Sequence, residues 1–333
     1  MSGPTPVHLL TGFLGSGKTT LLRGLLTDPA MASAAVLVNE FGEIGLDHEL
    51  LERVDETVVL MKSGCVCCTV RGELADAMLS LHSRRARGEV PFFERVVIET
   101  TGMADPYPAL STIQSHPVVR SHYRVANVVT TVDAVNAPAQ MATRLEALRQ
   151  VGAADLLVLT KTDLADPDGA AALHARLAEI NPSARLIEAR EAVAEDFLAQ
   201  DAERVLRVPA AAALAHHGAF RAEAPVTSFA LEIETPLDWT AFGLWLAMLL
   251  HRHGEHIFRV KGILCIEGEE RPVAVHGVQR LVHAPVHLER WPDGRRLSRI
   301  VFIVNGLDHG RIEASFRAFE ALSQRVLSRQ AAA

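Results

Sequence analysis

Residues 11–20, Thr11-Gly-Phe-Leu-Gly-Ser-Gly-Lys-Thr-Thr20, decide how this chain is read. They satisfy G-x-x-x-x-G-K-[ST], with the apolar run VHLLT (7–11) leading in and a segment of helical periodicity (19–26) leading out, the context that this pattern requires. Glycines let backbone N–H groups converge on a phosphate, and a helix N-terminus adds a favourable dipole. A lysine reaches the terminal oxygens, and a threonine hydroxyl ligates Mg²⁺. The pattern predicts a nucleotide-phosphate cradle made by Gly12, Gly15, Ser16, Gly17, Lys18, Thr19 and Thr20.

Working outward, short apolar runs recur at 35–39, 57–61, 95–99, 127–133, 156–160 and 185–188, with helical segments at 71–87, 137–150 and 169–180 between them. Runs apolar throughout are strands buried on both faces, and their alternation with helices implies an α/β unit with a doubly wound, mainly parallel sheet. After about residue 190 the pattern gives way to an alanine-rich stretch ending near Pro225. A second, smaller unit then reads as strand, helix, two or three strands, strand and closing helix, an α+β arrangement with helices on one face of an antiparallel sheet. The expected division is 1–192, a linker at 193–224, and 225–330.

Two further strand ends suit a nucleotide site. RVVIETTG places Glu99 where a carboxylate holds Mg²⁺ through water, and Gly102 where an N–H faces a γ-phosphate. LLVLTKTD places Lys161 and Asp163 in the positions of the N-K-x-D guanine reader, with Thr160 where asparagine is commoner. An aspartate accepts two hydrogen bonds from guanine that adenine cannot donate. A helix-capping role for Asp163 is the alternative.

SGCVCCTV gathers Cys65, Cys67 and Cys68 in one loop, leaving only Cys265 elsewhere, which is a poor layout for a disulfide framework. Three clustered thiolates suit Zn²⁺, or Co²⁺ or Ni²⁺, with a fourth position open; a redox loop and inert buried thiols remain as alternatives. NEFGEIGLDHEL brings Glu40, Glu43, Asp47 and His48 to the slot of a first switch loop, and His116 lies in a loop that could reach the same sheet edge. HRHGEH (251–256) reads first as imidazoles favoured at a helix end, with secondary metal binding as the alternative.

The chain of 333 residues is 49% hydrophobic with a formal charge of −7, which supports two globular cores and argues against nucleic acid or an anionic membrane as a bulk partner. No leader or membrane span is read in it, and the expected location is cytoplasmic.

Taken together, TGFLGSGKTTLL, NEFGE, SGCVCC, ETTGMADP, VGAADLLVLTKTDL and FRVKGILCIEGEERPVAVHGVQRL resemble the two-domain metallochaperone GTPases related to CobW, in their YjiA-like branch. That resemblance implies a P-loop GTPase domain followed by a CobW-type domain, binding of GTP or GDP with Mg²⁺, and slow hydrolysis. It also implies Zn²⁺ or a related ion at Cys65, Cys67 and Cys68, with Glu43 and His116 as additional ligands, and an unidentified client metalloprotein. Lys18, Thr19 and Glu99 then carry the phosphate and Mg²⁺ chemistry. The protein would act as a monomer or as a homo-oligomer that responds to nucleotide or metal. Competing readings are a P-loop kinase or other phosphotransferase with a structural thiol loop, and a non-enzymatic zinc store or sensor.

Overall fold

Strand β1 (Thr5–Gly12) is buried at every position but Pro6 and runs through the middle of a parallel sheet. The computed structural model describes residues 3–39, 59–63, 71–199, 226–292 and 294–331. The other strands of this first unit are β2 (Ala34–Asn39), β3 (Val59–Ser63), β4 (Arg95–Glu99), β5 (Tyr123–Asp133), β6 (Leu156–Thr160) and β7 (Arg185–Glu188). Their order is β3-β2-β4-β1-β5-β6-β7, with every pairing parallel. Helices α1 (Lys18–Leu25), α2 (Arg71–Ala86), α3 (Tyr107–Ser115), α4 (Val119–His122), α5 (Ala137–Thr143), α6 (Leu145–Ala153), α7 (Pro167–Ile180) and α8 (Ala194–Phe197) make the crossovers and their extensions.

The apolar strands explain this unit's stability. Leu10, Val36, Val97, Val129 and Val158, one from each of five strands, pack with Leu22 and Leu25 of α1 and with Phe197 of α8 in one buried cluster. Full burial of such a side chain contributes about 1.5–3 kcal/mol. Parallel pairing aligns all the carboxyl ends on one edge: Leu10 stands beside Glu99, Glu99 beside Val38, and Val38 beside Lys62. On the other side of β1, Gly12 pairs with Thr131 and Asp133 with Thr160.

Three details depart from the sequence reading. Strand β3 runs on to Ser63, two residues past the 57–61 run, because its register is set by the partner run Ala35 to Asn39. The single helix expected at 137–150 is two, broken at Arg144, whose φ of −126° and ψ of 115° are extended; its N–H closes α5 on the Gln140 carbonyl. The stretch after residue 190 is not all connector, since α8 buries Ala194 and Phe197, and Asn127 Nδ2 donates to the Phe197 carbonyl at 2.9 Å. By contacts this first unit comprises Met1–Ala178 and Ala184–Asp201.

The second unit is an antiparallel sheet of β8 (Val226–Ile233), β9 (Ile257–Leu264), β10 (Val273–Val278), β11 (Leu281–Val282), β12 (Val286–His287) and β13 (Ser298–Asn305), in the order β11-β10-β9-β13-β8 with β12 beside β10. Alternate residues Phe229 and Leu231, and Ile300, Phe302 and Val304, face a core shared with α9 (Trp239–His253) and α10 (His309–Ala331). Asp238 caps α9 by accepting from the Ala241 N–H at 2.6 Å, and Trp245 Nε1 donates to Ser315 Oγ at 3.1 Å, fastening the two helices. Among the described residues no helix is long and apolar enough to cross a membrane.

Candidate functional site

The phosphate loop is built where β1 turns into α1. Gly12 has φ of +142°, Gly15 +75° and Gly17 +85°, all in the region that side-chain-bearing residues avoid. At Gly12 space also forbids a side chain: a Cβ would lie 2.3 Å from Thr131 Oγ1 and 2.7 Å from Ser16 Oγ. Those two hydroxyls share a 2.6 Å hydrogen bond, so β5 braces the loop from behind. Lys18 is 8% exposed, and its ammonium donates to the Gly12 carbonyl at 3.0 Å and to the Phe13 carbonyl at 3.4 Å. Burial lowers its pKa, while the Glu99 charge opposes that shift. Thr20 is exposed at the start of α1.

Neighbouring strands supply the walls. Thr19 Oγ1 donates to Glu99 Oε1 at 2.6 Å, joining the first turn of α1 to the end of β4. Thr100 N–H donates to the Leu10 carbonyl at 2.9 Å, and Thr100 Oγ1 donates to Thr11 Oγ1 at 2.9 Å, so the chain leaving β4 stays fastened to β1. Beyond it Gly102 passes so close that a Cβ there would sit 2.5 Å from Leu14 Cα. Buried Gln150 of α6 holds this segment, donating its amide to the carbonyls of Gly102 at 3.2 Å and Ala104 at 3.0 Å, and Arg149 pairs with Asp105 at 3.0 Å.

On the other flank, Thr160 Oγ1 lies 2.8 Å from the Ser16 carbonyl and 3.2 Å from that of Val132. Thr160 therefore ties the end of β6 to the phosphate loop. Lys161 adopts a φ of 56° and its ammonium binds Asp133 Oδ2 at 2.7 Å. Desolvation acts to raise the Asp133 pKa, but Lys161 and donors from Asn136 and Val135 outweigh it and hold the carboxylate below its ordinary value. Asp163 is exposed in the turn that follows.

The structure thus brings Gly12, Gly15, Ser16, Gly17, Lys18, Thr19, Glu99, Gly102 and Lys161 to one sheet edge. Helix α3 returns the chain from the carboxyl edge toward the amino edge, where β5 starts at Tyr123 beside Thr5. His116 ends that helix, and its Nδ1 accepts from the Val119 N–H at 3.3 Å. Glu43, Cys65, Cys67 and Cys68 lie outside the described residues, as do Glu40, Asp47 and His48. Among the described residues no group of three or more His, Cys, Asp or Glu could hold a metal, and this includes the histidines of 251–256.

Sequence reading missed Thr131, Asp133 and Gln150. The first two were legible as a polar TTVD ending to an otherwise apolar strand. Gln150 sits on the buried face of α6 with Ala147 and Val151, and a single polar residue on such a face gives no local sign of its partner.

Chemically, the cradle accepts a polyphosphate. A Cβ would fill the place reserved at Gly12, and the Lys18 cation is held by neutral carbonyls, leaving its charge available to an anion. Thr19 and Glu99 offer the hard oxygen donors that Mg²⁺ prefers. Fold and site together define a P-loop nucleotide-binding protein.

Residues 6–188 match the CobW/HypB/UreG nucleotide-binding domain, and residues 226–320 match the cobalamin synthesis protein cobW C-terminal domain. The chain therefore belongs to the CobW family. It is 36% identical over 315 residues to the zinc chaperone YjiA of Escherichia coli K12, spanning 94% of this chain and 98% of that one. It is 30% identical to the zinc chaperone CobW of Pseudomonas aeruginosa, over 94% of this chain and 90% of the relative. The crystal structure of Zn(II)-bound YjiA GTPase from E. coli aligns with a TM-score of 0.71 at 32% identity, covering 96% of this chain and 99% of that chain.

Proposed function

We propose that this GTPase of the CobW family is a zinc-handling metallochaperone in which the state of the nucleotide sets the affinity for the metal. Lys18 and the loop glycines hold the phosphates, and Thr19 with Glu99 would hold Mg²⁺, which supplies charge neutralisation at the β- and γ-oxygens. Gly102 offers its N–H toward the γ-phosphate. Lys161 and Asp163 read guanine, and Cys65, Cys67 and Cys68, with Glu43 and His116, take Zn²⁺ as cargo. Without a residue that positions water or an arginine finger in these motifs, intrinsic turnover is slow until a partner engages.

The observation that carries this reading is the level line Leu10, Glu99, Val38, Lys62 across four parallel strands. Strand β3 therefore ends, at Ser63, on the edge where Thr19 meets Glu99, two residues before Cys65 in the sequence. Three strand spacings, about 14 Å, separate β3 from β1, with the ends of β2 and β4 between them. Zinc-chaperone relatives that align over both halves of the chain support the metal assignment.

Titration calorimetry of GTP, GDP and ATP, with and without Zn²⁺, tests it. Guanine nucleotides should bind in preference to ATP, and Asp163→Asn should transfer that preference to xanthine nucleotides. A chain that phosphorylates an acceptor and tolerates Asp163→Asn is a kinase. Zinc binding that ignores both nucleotide and Lys18→Ala would reduce the protein to a metal store.

A further inference from the structure

Lys161 holds a backbone conformation that a lysine rarely keeps. Its φ of 56° is left-handed, where Cβ crowds the following carbonyl, and such a residue persists only when its surroundings over-determine it. Two contacts do so. The Lys161 carbonyl accepts from the Leu164 N–H at 3.1 Å, closing the turn that carries Asp163, and the ammonium reaches Asp133 Oδ2 at 2.7 Å. Asp133 is itself fixed. It ends β5 at 1% exposure, and its carboxylate also accepts from the Asn136 side-chain amide at 2.9 Å and from the N–H groups of Val135 at 2.9 Å and Asn136 at 3.0 Å. From the other side, Thr162 Oγ1 donates to Glu188 Oε2 at 2.9 Å. The two residues before Asp163 are thus tied to the ends of β5 and β7, the strands that flank β6, while Asp163 stays exposed.

Paired hydrogen bonds to a base edge tolerate little misplacement, because they weaken steeply as angle and distance depart from the optimum. We infer that Asp133 is a positioning residue for base selection: by holding Lys161 in its left-handed turn it sets where the Asp163 carboxylate stands, and so how strictly the site selects a purine that carries a 2-amino group. This rests on the reading of Lys161 and Asp163 as the guanine-selecting pair. Phosphate binding is set separately, since Lys18 and Thr19 are held by the carbonyls of Gly12 and Phe13 and by Glu99.

The test compares GDP with inosine diphosphate, which lacks only the 2-amino group, by titration calorimetry on the full chain. A weakened fold or phosphate loop lowers both affinities alike, whereas a misplaced Asp163 changes their ratio. The wild type should prefer GDP by roughly tenfold or more, the worth of one hydrogen bond to a charged group, and Asp163→Ala should bring the ratio to about one. Asp133→Asn should cut the ratio about fivefold or more. Lys161→Met keeps an apolar stem over either base but loses the tie, so it should cut the ratio by the same factor; it decides the matter if the buried substitution does not fold. Added to Lys161→Met, Asp133→Asn should have no further effect. A wild-type ratio near one overturns the guanine reading and this inference with it. A preference that Asp163→Ala abolishes but that either folded variant, Asp133→Asn or Lys161→Met, leaves intact overturns this inference alone, as do additive effects in the double variant.

Discussion

At Gly12 a single missing methyl group decides whether the phosphate loop closes. A Cβ there would meet Thr131 Oγ1 at 2.3 Å and the Thr131 carbonyl at 2.5 Å, on a backbone already at φ +142°. Gly12→Ala should destabilise the first unit by about 1–3 kcal/mol and abolish detectable nucleotide binding, measured by thermal denaturation and GDP titration. Gln150 acts at longer reach. Its amide satisfies two carbonyls of the segment that carries Gly102, so Gln150→Leu leaves both unpartnered at a cost of about 1–3 kcal/mol each. We expect faster hydrogen exchange after β4 and a lower kcat for GTP hydrolysis with KM little changed, because Gln150 lies outside the cradle. An unchanged kcat in a destabilised variant would mean that its role is packing alone.

Among the elements, β1 carries a titratable liability. His8 is fully buried in that central strand, and burial, reinforced by Arg95 and Arg124, pushes its pKa down to about 3. The native state therefore keeps the imidazole neutral, whereas the unfolded chain binds a proton below about 6.5. Stability is intact above pH 6.5 and falls as pH drops from there toward 3, with a slope approaching 1.4 kcal/mol per pH unit from this residue. His8→Leu removes that slope. The stability difference between variant and wild type, measured by urea denaturation, should widen from pH 7 to pH 4; a constant difference would show that His8 is not the proton sink. Element boundaries had mixed legibility. The apolar runs of β4 and β6 match their strands residue for residue because both faces are buried, and β7 matches too although it is a partly exposed edge strand, whereas the break at Arg144 left no mark, since helical periodicity continues across it.

For the molecule as a whole, linkage makes the metallochaperone reading quantitative. If GTP raises zinc affinity by some factor, zinc must raise GTP affinity by the same factor, and a typical coupling of about 1–3 kcal/mol corresponds to roughly 5–150-fold. Paired calorimetric titrations, zinc into the GTP- and GDP-loaded protein and nucleotide into the zinc-loaded and zinc-free protein, should give equal ratios. Identical zinc affinities in the two nucleotide states would leave a nucleotide hydrolase whose thiols serve some other purpose.

Sequence by itself determined the cradle and the class of fold, because a glycine-rich strand-to-helix turn and doubly apolar strands depend on local sterics and burial that every copy of the pattern shares. It also placed Glu99 and Lys161 at strand ends. Only the tertiary structure decided which strands are neighbours, and through that order it paired Thr19 with Glu99, Ser16 with Thr131 and Lys161 with Asp133. The contact of α9 with α10 belongs to the same category, since Trp245 and Ser315, 70 residues apart in the chain, meet only in the folded unit. Periodicity reports which face of an element is buried; it carries no record of what that face meets.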